Sequence, residues 1–215
     1  LVGGNLAGVE GAEWFSLTLI GEAARGGTWT RHAARPGDLL AVSGSPGRAG
    51  AGARLARALG EGARAPEWSP LLEAWRVPVA RVGLARALGE TLGEAGGVTA
   101  AIDISDGVGG DLARLCEASG VGVEIIEMAW PVDEALARAA ATLGVTLETL
   151  RFGPSDDYEL LLAIDPAARG ACAAAAGRLN VPLAFVGMFT VTPEVLTVRD
   201  ARGAMRPLGA SGYDH

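Results

Sequence analysis

Lysine is missing from this 215-residue chain: all 18 of its basic residues are arginine. The absence excludes a Walker-A lysine, a kinase strand lysine and a Schiff-base lysine. Cationic recognition of phosphate, where it occurs, must come from arginine, whose planar fork favours paired hydrogen bonds. Cysteine is almost as scarce. Cys116 and Cys172 are the two present, too few and too far apart for a zinc site or a disulfide scaffold. Both fall in apolar helical patterns, where buried free thiols are expected. His32 and His215 are the two histidines, too isolated for a catalytic pair, and no Ser/His/Asp or Cys/His arrangement stands out. No run approaches the roughly 20 apolar residues that cross a bilayer, and Leu1-Val2-Gly3-Gly4 carries no signal-peptide pattern. These absences lead to the expectation of a cytoplasmic protein with no membrane partner. The formal charge of −7 argues against a nucleic-acid-binding surface.

Hydrophobic residues make up 49% of the chain, so a sizeable core is expected and extended disorder is not. The length fits one large domain, or one domain with part of another. Strand patterns fall at 14–20, 39–43, 98–102, 121–126, 158–164, 183–189 and, last, 195–199. Helical patterns fall at 53–59, 78–92, from Val108 onward, 133–143 and 166–179. The glycine-rich stretch from Gly44 to Gly52 reads as a loop, and the one from Gly60 to Pro70 as surface loop. Strands and helices alternate irregularly, over links too short for parallel crossovers. An α+β fold is therefore expected, a layered α/β/α domain with a mixed sheet rather than a doubly wound one.

Asp103-Ile104-Ser105-Asp106-Gly107 is the most informative segment. It joins the apolar run Val98–Ile102 to a helical pattern with Val108, Leu112, Leu115 and Cys116 on one side and Asp111 and Arg114 on the other. A helix N-terminus presents unpaired N–H groups that suit phosphate oxygens. Two carboxylates suit Mg²⁺, which commonly bridges protein acids to substrate phosphates. Alternatively, Ser105 or Asp106 simply caps the helix; on these residues alone both readings stand. Asp103 follows a buried strand, where a carboxylate is costly unless paired or bound to metal. Polar residues also gather at Gly3-Gly4-Asn5, at Arg31 before Pro36-Gly37-Asp38, and at Ser155-Asp156-Asp157-Tyr158-Glu159 before Leu160-Leu161-Leu162. Taken singly, Arg31 reads as a surface arginine, and Asp156 and Asp157 as the solvated start of a strand.

In order and spacing together, these segments resemble the thiamine-monophosphate kinase family. The resemblance adds Trp14 to Glu22, the Ser43-Gly44-Ser45-Pro46-Gly47 loop and the terminal Gly212-Tyr213-Asp214-His215, and it runs through nearly the whole chain. Related families are aminoimidazole-ribotide synthase, selenophosphate synthetase and the hydrogenase maturation dehydratase subunit. The last typically ends in a reactive cysteine, whereas this chain ends in Asp214-His215. The resemblance implies the C-terminal domain fold of that superfamily. Residues 1–24 would be the end of a truncated N-terminal ATP-binding domain, and 25–215 the C-terminal domain. It further implies Mg²⁺ on Asp103, Asp106 and the Asn5 position, and ATP on Gly4, Asn5, Arg31 and Ser105. Thiamine monophosphate would lie against Asp156 and Tyr213. The implied reaction is Mg-dependent transfer of the ATP γ-phosphoryl to thiamine monophosphate, in a protein that is a homodimer when full length.

Three departures from the family pattern stand out. Asn5 replaces an aspartate that the family uses on Mg²⁺ and ATP. Pro154 and Ser155 replace paired glycines, and Asp156 is one methylene shorter than the family's glutamate. The family's N-terminal half, with its own metal-binding aspartates, lies outside the chain, so the fragment alone is expected to be inactive. Two other classes stay open: a different ATP-using enzyme of the superfamily, and a non-catalytic binding module.

Overall fold

The computed structural model describes Thr18, Ile20 and residues 28–93 and 96–208. The apolar segments pair into strands β1 (Leu39–Ser43), β2 (Val98–Asp103), β3 (Gly122–Ile126), β4 (Leu160–Ile164), β5 (Leu183–Thr190), β6 (Leu196–Arg199) and β7 (Met205–Pro207). They form one seven-stranded sheet in the order β2-β4-β1-β5-β3-β6-β7. Among the described strands only the β3–β6 pair is parallel; the other pairs run antiparallel. The sheet is mixed and the fold is α+β, as the short links require. One expectation fails here: Leu196–Arg199 is followed by β7, a three-residue strand too short to show any alternation. The 14–20 strand pattern lies almost wholly outside the described residues.

Seven helices accompany the sheet among the described residues: α1 (Arg48–Leu59), α2 (Ser69–Arg76), α3 (Val82–Leu92), α4 (Val108–Ser119), α5 (Glu134–Leu143), α6 (Leu147–Phe152) and α7 (Arg169–Arg178). Period-two alternation sorts the strands' side chains onto two faces. Leu40 and Val42 of β1 join Leu112, Leu115 and Cys116 of α4 in one core. Ala41 of β1 and Leu162 of β4 point the other way, onto Leu84 and Leu88 of α3 and Cys172 of α7. Helices therefore cover both faces, giving the α/β/α layering. Burying a leucine or isoleucine in such a core contributes about 1.5–3 kcal/mol. Both thiols are buried, and burial pushes the Cys116 thiol up to about 12. A separate cluster packs α1, α2, α5 and α6 together through Leu55, Leu71, Leu136 and Leu150.

The loop expected from Gly44 to Gly52 is half helix, because α1 begins at Arg48. The stretch from Gly60 to Pro70 is no surface loop. It folds as two short 3-10 helices and the start of α2, with Ala63 and Trp68 buried in the cluster just described. Its two prolines sit at helix starts, where a missing N–H costs little. Helix α3 begins at Val82 rather than Pro78.

Candidate functional site

Strand β2 is the outermost of the described strands and ends in Asp103, whose side chain is exposed. The desolvation cost expected for this carboxylate is thus avoided by solvation. Ile104, fully buried, turns the chain. Its N–H donates to the Glu159 carbonyl at 2.8 Å, and its carbonyl accepts the Tyr158 N–H at 2.8 Å. The acidic turn and the Ser155–Glu159 segment therefore run side by side, although some 50 residues separate them. Gly107 ends the turn at φ +107°, where a Cβ would stand 2.2 Å from the Gly153 carbonyl oxygen. That position tolerates only glycine.

Neither Ser105 nor Asp106 caps α4: the residue before the helix is Gly107, with no side-chain cap. The capping bonds run backwards instead. Asp111, in the first turn and 1% exposed, accepts the N–H groups of Ser105 and Asp106 on Oδ2, both at 3.0 Å. Arg114 Nη1 donates to Asp111 Oδ1 at 2.9 Å and also to Asp106 Oδ2. Burial raises the Asp111 carboxyl above the ordinary range, and the bonds from Asp106, Arg114 and Ser105 offset only part of that.

In the second acidic segment, Ser155, Asp157 and Glu159 are buried while Asp156 and Tyr158 are exposed. Tyr158 adopts φ +52°, a left-handed conformation that costs an aromatic residue about 1 kcal/mol or more. The Asp157 carboxylate accepts the Gly47 N–H at 2.7 Å and the Ala49 N–H at 2.9 Å. Ser155 Oγ accepts the Gly50 N–H at 2.8 Å. Together they satisfy the open start of α1. Burial pushes the Asp157 carboxyl up, against the pull of those two N–H groups. Glu159 is gripped by the Arg81 guanidinium (Nε to Oε2 2.6 Å, Nη2 to Oε1 2.5 Å) and by Ser43 Oγ at 2.5 Å. Gly44 makes room for it: a Cβ there would stand 1.9 Å from Glu159 Oε1. The reading of Asp156 and Asp157 as a solvated strand start holds for Asp156 and fails for Asp157, whose carboxylate is a buried cap.

Asp156 lines a cleft of about 360 Å³ with Ala49, Gly50, Arg54, Arg57 and Trp75. Arg31 and Arg114 line another, of about 460 Å³, with Glu117 and Ala118. The Arg31 carbonyl accepts Ser119 Oγ at 2.8 Å, which ties its segment to the end of α4. Arg31 thus shares a cleft with Arg114, which pairs with Asp106 of the acidic turn. A larger cleft of about 530 Å³, between Trp29, Ala85, Leu92 and Val98, holds none of the expected site residues. Gly4, Asn5 and Tyr213 lie outside the described residues.

Among the described residues no group of three or more His, Cys, Asp or Glu side chains converges to hold a metal. Two acidic side chains in one turn nevertheless match the way Mg²⁺ binds through one or two carboxylates plus phosphate oxygens.

Asp111, Arg114, Arg48, Arg81 and Asp133 carry no site role in the sequence pattern, although Asp111 and Arg114 fall on the polar side of α4. The i,i+3 spacing of Asp111 and Arg114 was the available signal. For the others only the fold reveals the partner: Arg48 Nε and Ser45 Oγ both reach Asp133 at 2.6 Å, across 85 and 88 residues. Burial alone would raise the Asp133 carboxyl, but Arg48, Ser45 and the Leu136 N–H outweigh it and hold the group below the ordinary range.

Residues 35–199 match the family described as AIR synthase related protein, C-terminal domain. Over 218 residues the chain is 32% identical to the thiamine-monophosphate kinase of Escherichia coli O157:H7, covering all of this chain and 63% of that protein. Among solved structures, thiamine-monophosphate kinase from Stenotrophomonas maltophilia K279a superposes with a TM-score of 0.68 at 26% identity, over 83% of this chain and 54% of that one. AaThiL complexed with AMPPCP and TMP gives a TM-score of 0.68 at 25% identity, over 87% of this chain and 54% of the other. The chain spans about 63% of the length of these curated relatives from Escherichia coli and Salmonella typhimurium.

Proposed function

Since this chain belongs to the family described as AIR synthase related protein, C-terminal domain, we propose that it works as part of a thiamine-monophosphate kinase. In this reading residues 25–215 are the C-terminal domain and residues 1–24 the end of an N-terminal ATP-binding domain. The whole protein is a cytoplasmic homodimer that acts on small molecules, with neither nucleic acid nor membrane as partner. The γ-phosphoryl of ATP passes to thiamine monophosphate and gives thiamine diphosphate.

The observation that supports this most directly is the backbone pairing of Ile104 with Tyr158 and Glu159. It sets the turn that would hold the donor beside the segment that would hold the acceptor. Asp103 and Asp106, with Asn5, would hold Mg²⁺, which when bound neutralises charge between donor and acceptor phosphates. Ser105, Gly4, Asn5 and Arg31 would contact the nucleotide. Asp156 and Tyr213 would contact the acceptor, whose cationic ring suits a carboxylate beside an aromatic face. Trp75 and the guanidinium groups of Arg54 and Arg57 share the Asp156 cleft, which suits a ligand bearing both an aromatic ring and a phosphate. The acceptor is a phosphate monoester, already anionic near neutral pH, so a site without lysine or a paired histidine is adequate.

A coupled assay of ADP release with thiamine monophosphate tests the reading, on this chain alone and with the N-terminal half of a relative supplied. Acceptor-dependent release that needs the supplied half is expected. Release that ignores thiamine monophosphate, or that responds instead to another phosphorylated acceptor, would contradict it.

A further inference from the structure

We propose that Arg114 is a displaceable counter-ion of Asp106. It covers this carboxylate when no nucleotide is bound, and turns to the nucleotide phosphates when metal and nucleotide arrive together. The inference rests on the reading above, in which Asp106 is a metal ligand, and adds a residue that the family pattern did not single out.

The acidic turn takes its shape from Asp111 Oδ2, whereas Arg114 bonds the other oxygen, Oδ1, of that carboxylate. Asp111 already fixes it by accepting the N–H groups of Ser105 and Asp106, and the Asp111 side chain is 2% exposed. Arg114, by contrast, is 38% exposed, while the Asp106 side chain beneath it is 15% exposed. A partly solvated ion pair of this kind is weak and exchanges readily. While Arg114 Nη1 occupies Asp106 Oδ2, it competes for the lone pairs that a cation would use. The same guanidinium stands in the wall of the cleft that holds Arg31. Two arginines there could share one phosphate group by paired hydrogen bonds, an arrangement that guanidinium favours. Asp111 would keep its grip on the turn throughout, so the exchange moves one side chain and leaves the backbone in place.

The exchange has a signature that a merely structural arginine lacks: metal and nucleotide should respond to its removal with opposite signs. In Arg114→Ala, Mn²⁺ used alone as the probe should bind roughly tenfold tighter, because a competing cation is gone. Mg·ATP should bind roughly tenfold weaker, because a phosphate contact is gone. Arg114→Lys should keep the metal competition and recover only part of the nucleotide affinity, since lysine cannot make the paired bonds.

The experiment is Mn²⁺ titration by electron spin resonance and Mg·ATP titration by calorimetry on the full chain. Circular dichroism melts would verify the fold of each variant. If Arg114→Ala changes both affinities in the same direction, or neither, the inference is overturned. Arg114→Lys decides the matter if the alanine variant does not fold. Adding Asp106→Asn to Arg114→Ala separates the two levels. A Mn²⁺ gain that survives the second change would show that Asp106 is no ligand and overturn the underlying reading. A gain that disappears while Arg114→Ala leaves nucleotide affinity unchanged would overturn the role of Arg114 alone.

Discussion

The two acidic segments lie side by side, yet they use their carboxylates in opposite ways. In the Ser155–Glu159 segment the strand-like alternation turns Asp157 and Glu159 inward, where one caps α1 and the other takes Arg81 and Ser43. Asp156, between them, is left in solvent at the mouth of a cleft. In the Asp103–Gly107 turn Asp103 faces solvent and Asp106 lies half-buried beneath Arg114, while the turn itself is held by Asp111 one helical turn away. An acidic cluster near a candidate site is thus sorted by what each side chain touches. Those with several buried donors hold the frame, and those facing water are available to a ligand.

Substitutions can break this contrast at its structural end first. Glu159→Ala would leave the Arg81 guanidinium, 23% exposed, without its partner, and should cost about 3–5 kcal/mol. Urea unfolding measures this directly; a loss below about 1 kcal/mol would place Glu159 among the solvated carboxylates instead.

Asp133→Ala should cost less, about 1–2 kcal/mol, because it removes the cap of α5 together with the Arg48 bond. This loss should depend on pH. The folded Asp133 carboxyl lies below its unfolded value, so its stabilisation is complete above the unfolded pKa of about 4. It is lost as pH falls through the folded value. Asp157 is shifted upward, so its contribution has the opposite sign and declines as pH rises. Unfolding free energies of wild type and Asp133→Ala should therefore converge below about pH 4. A difference that persists unchanged in acid would contradict the ion-pair account.

At the small end, Asp156→Ala should change stability by no more than about 0.5 kcal/mol, because the side chain is exposed. In a protein with the N-terminal half supplied, it should still weaken thiamine monophosphate binding while leaving ATP affinity nearly unchanged. A stability loss as large as that of Asp133→Ala would move Asp156 to the structural group.

Much of this was legible from residue patterns. Short apolar runs located strands β1, β4 and β5, the short links required a mixed sheet, and the Asp-Ile-Ser-Asp-Gly turn announced itself at a strand–helix junction. Three kinds of feature were hidden. Helix α6 and strand β7 have six and three residues, too few for a period to register. The helical stretch at 60–70 carries glycine and proline, whose usual meaning is loop, and the burial of Ala63 and Trp68 in the α1–α2–α5–α6 cluster overrides it. The partners of Asp157 and Glu159, and the Arg48 partner of Asp133, lie about 80 to 115 residues away in sequence, so no local spacing could have told these buried acids from solvated ones.

The most direct test is a calorimetric titration of Mg·ATP against wild type, Asp103→Asn and Asp106→Asn, with unfolding curves measured on the same samples. Asp103 is solvated and makes none of the buried bonds described above. Its amide variant should therefore keep the wild-type stability to within about 0.5 kcal/mol while its affinity for Mg·ATP falls by roughly tenfold or more. Asp106→Asn should lose affinity by a similar factor. Equal affinities in all three proteins, or a loss of affinity that merely tracks a loss of stability, would reduce the acidic turn to a helix-start device and contradict the ligand role assigned to it.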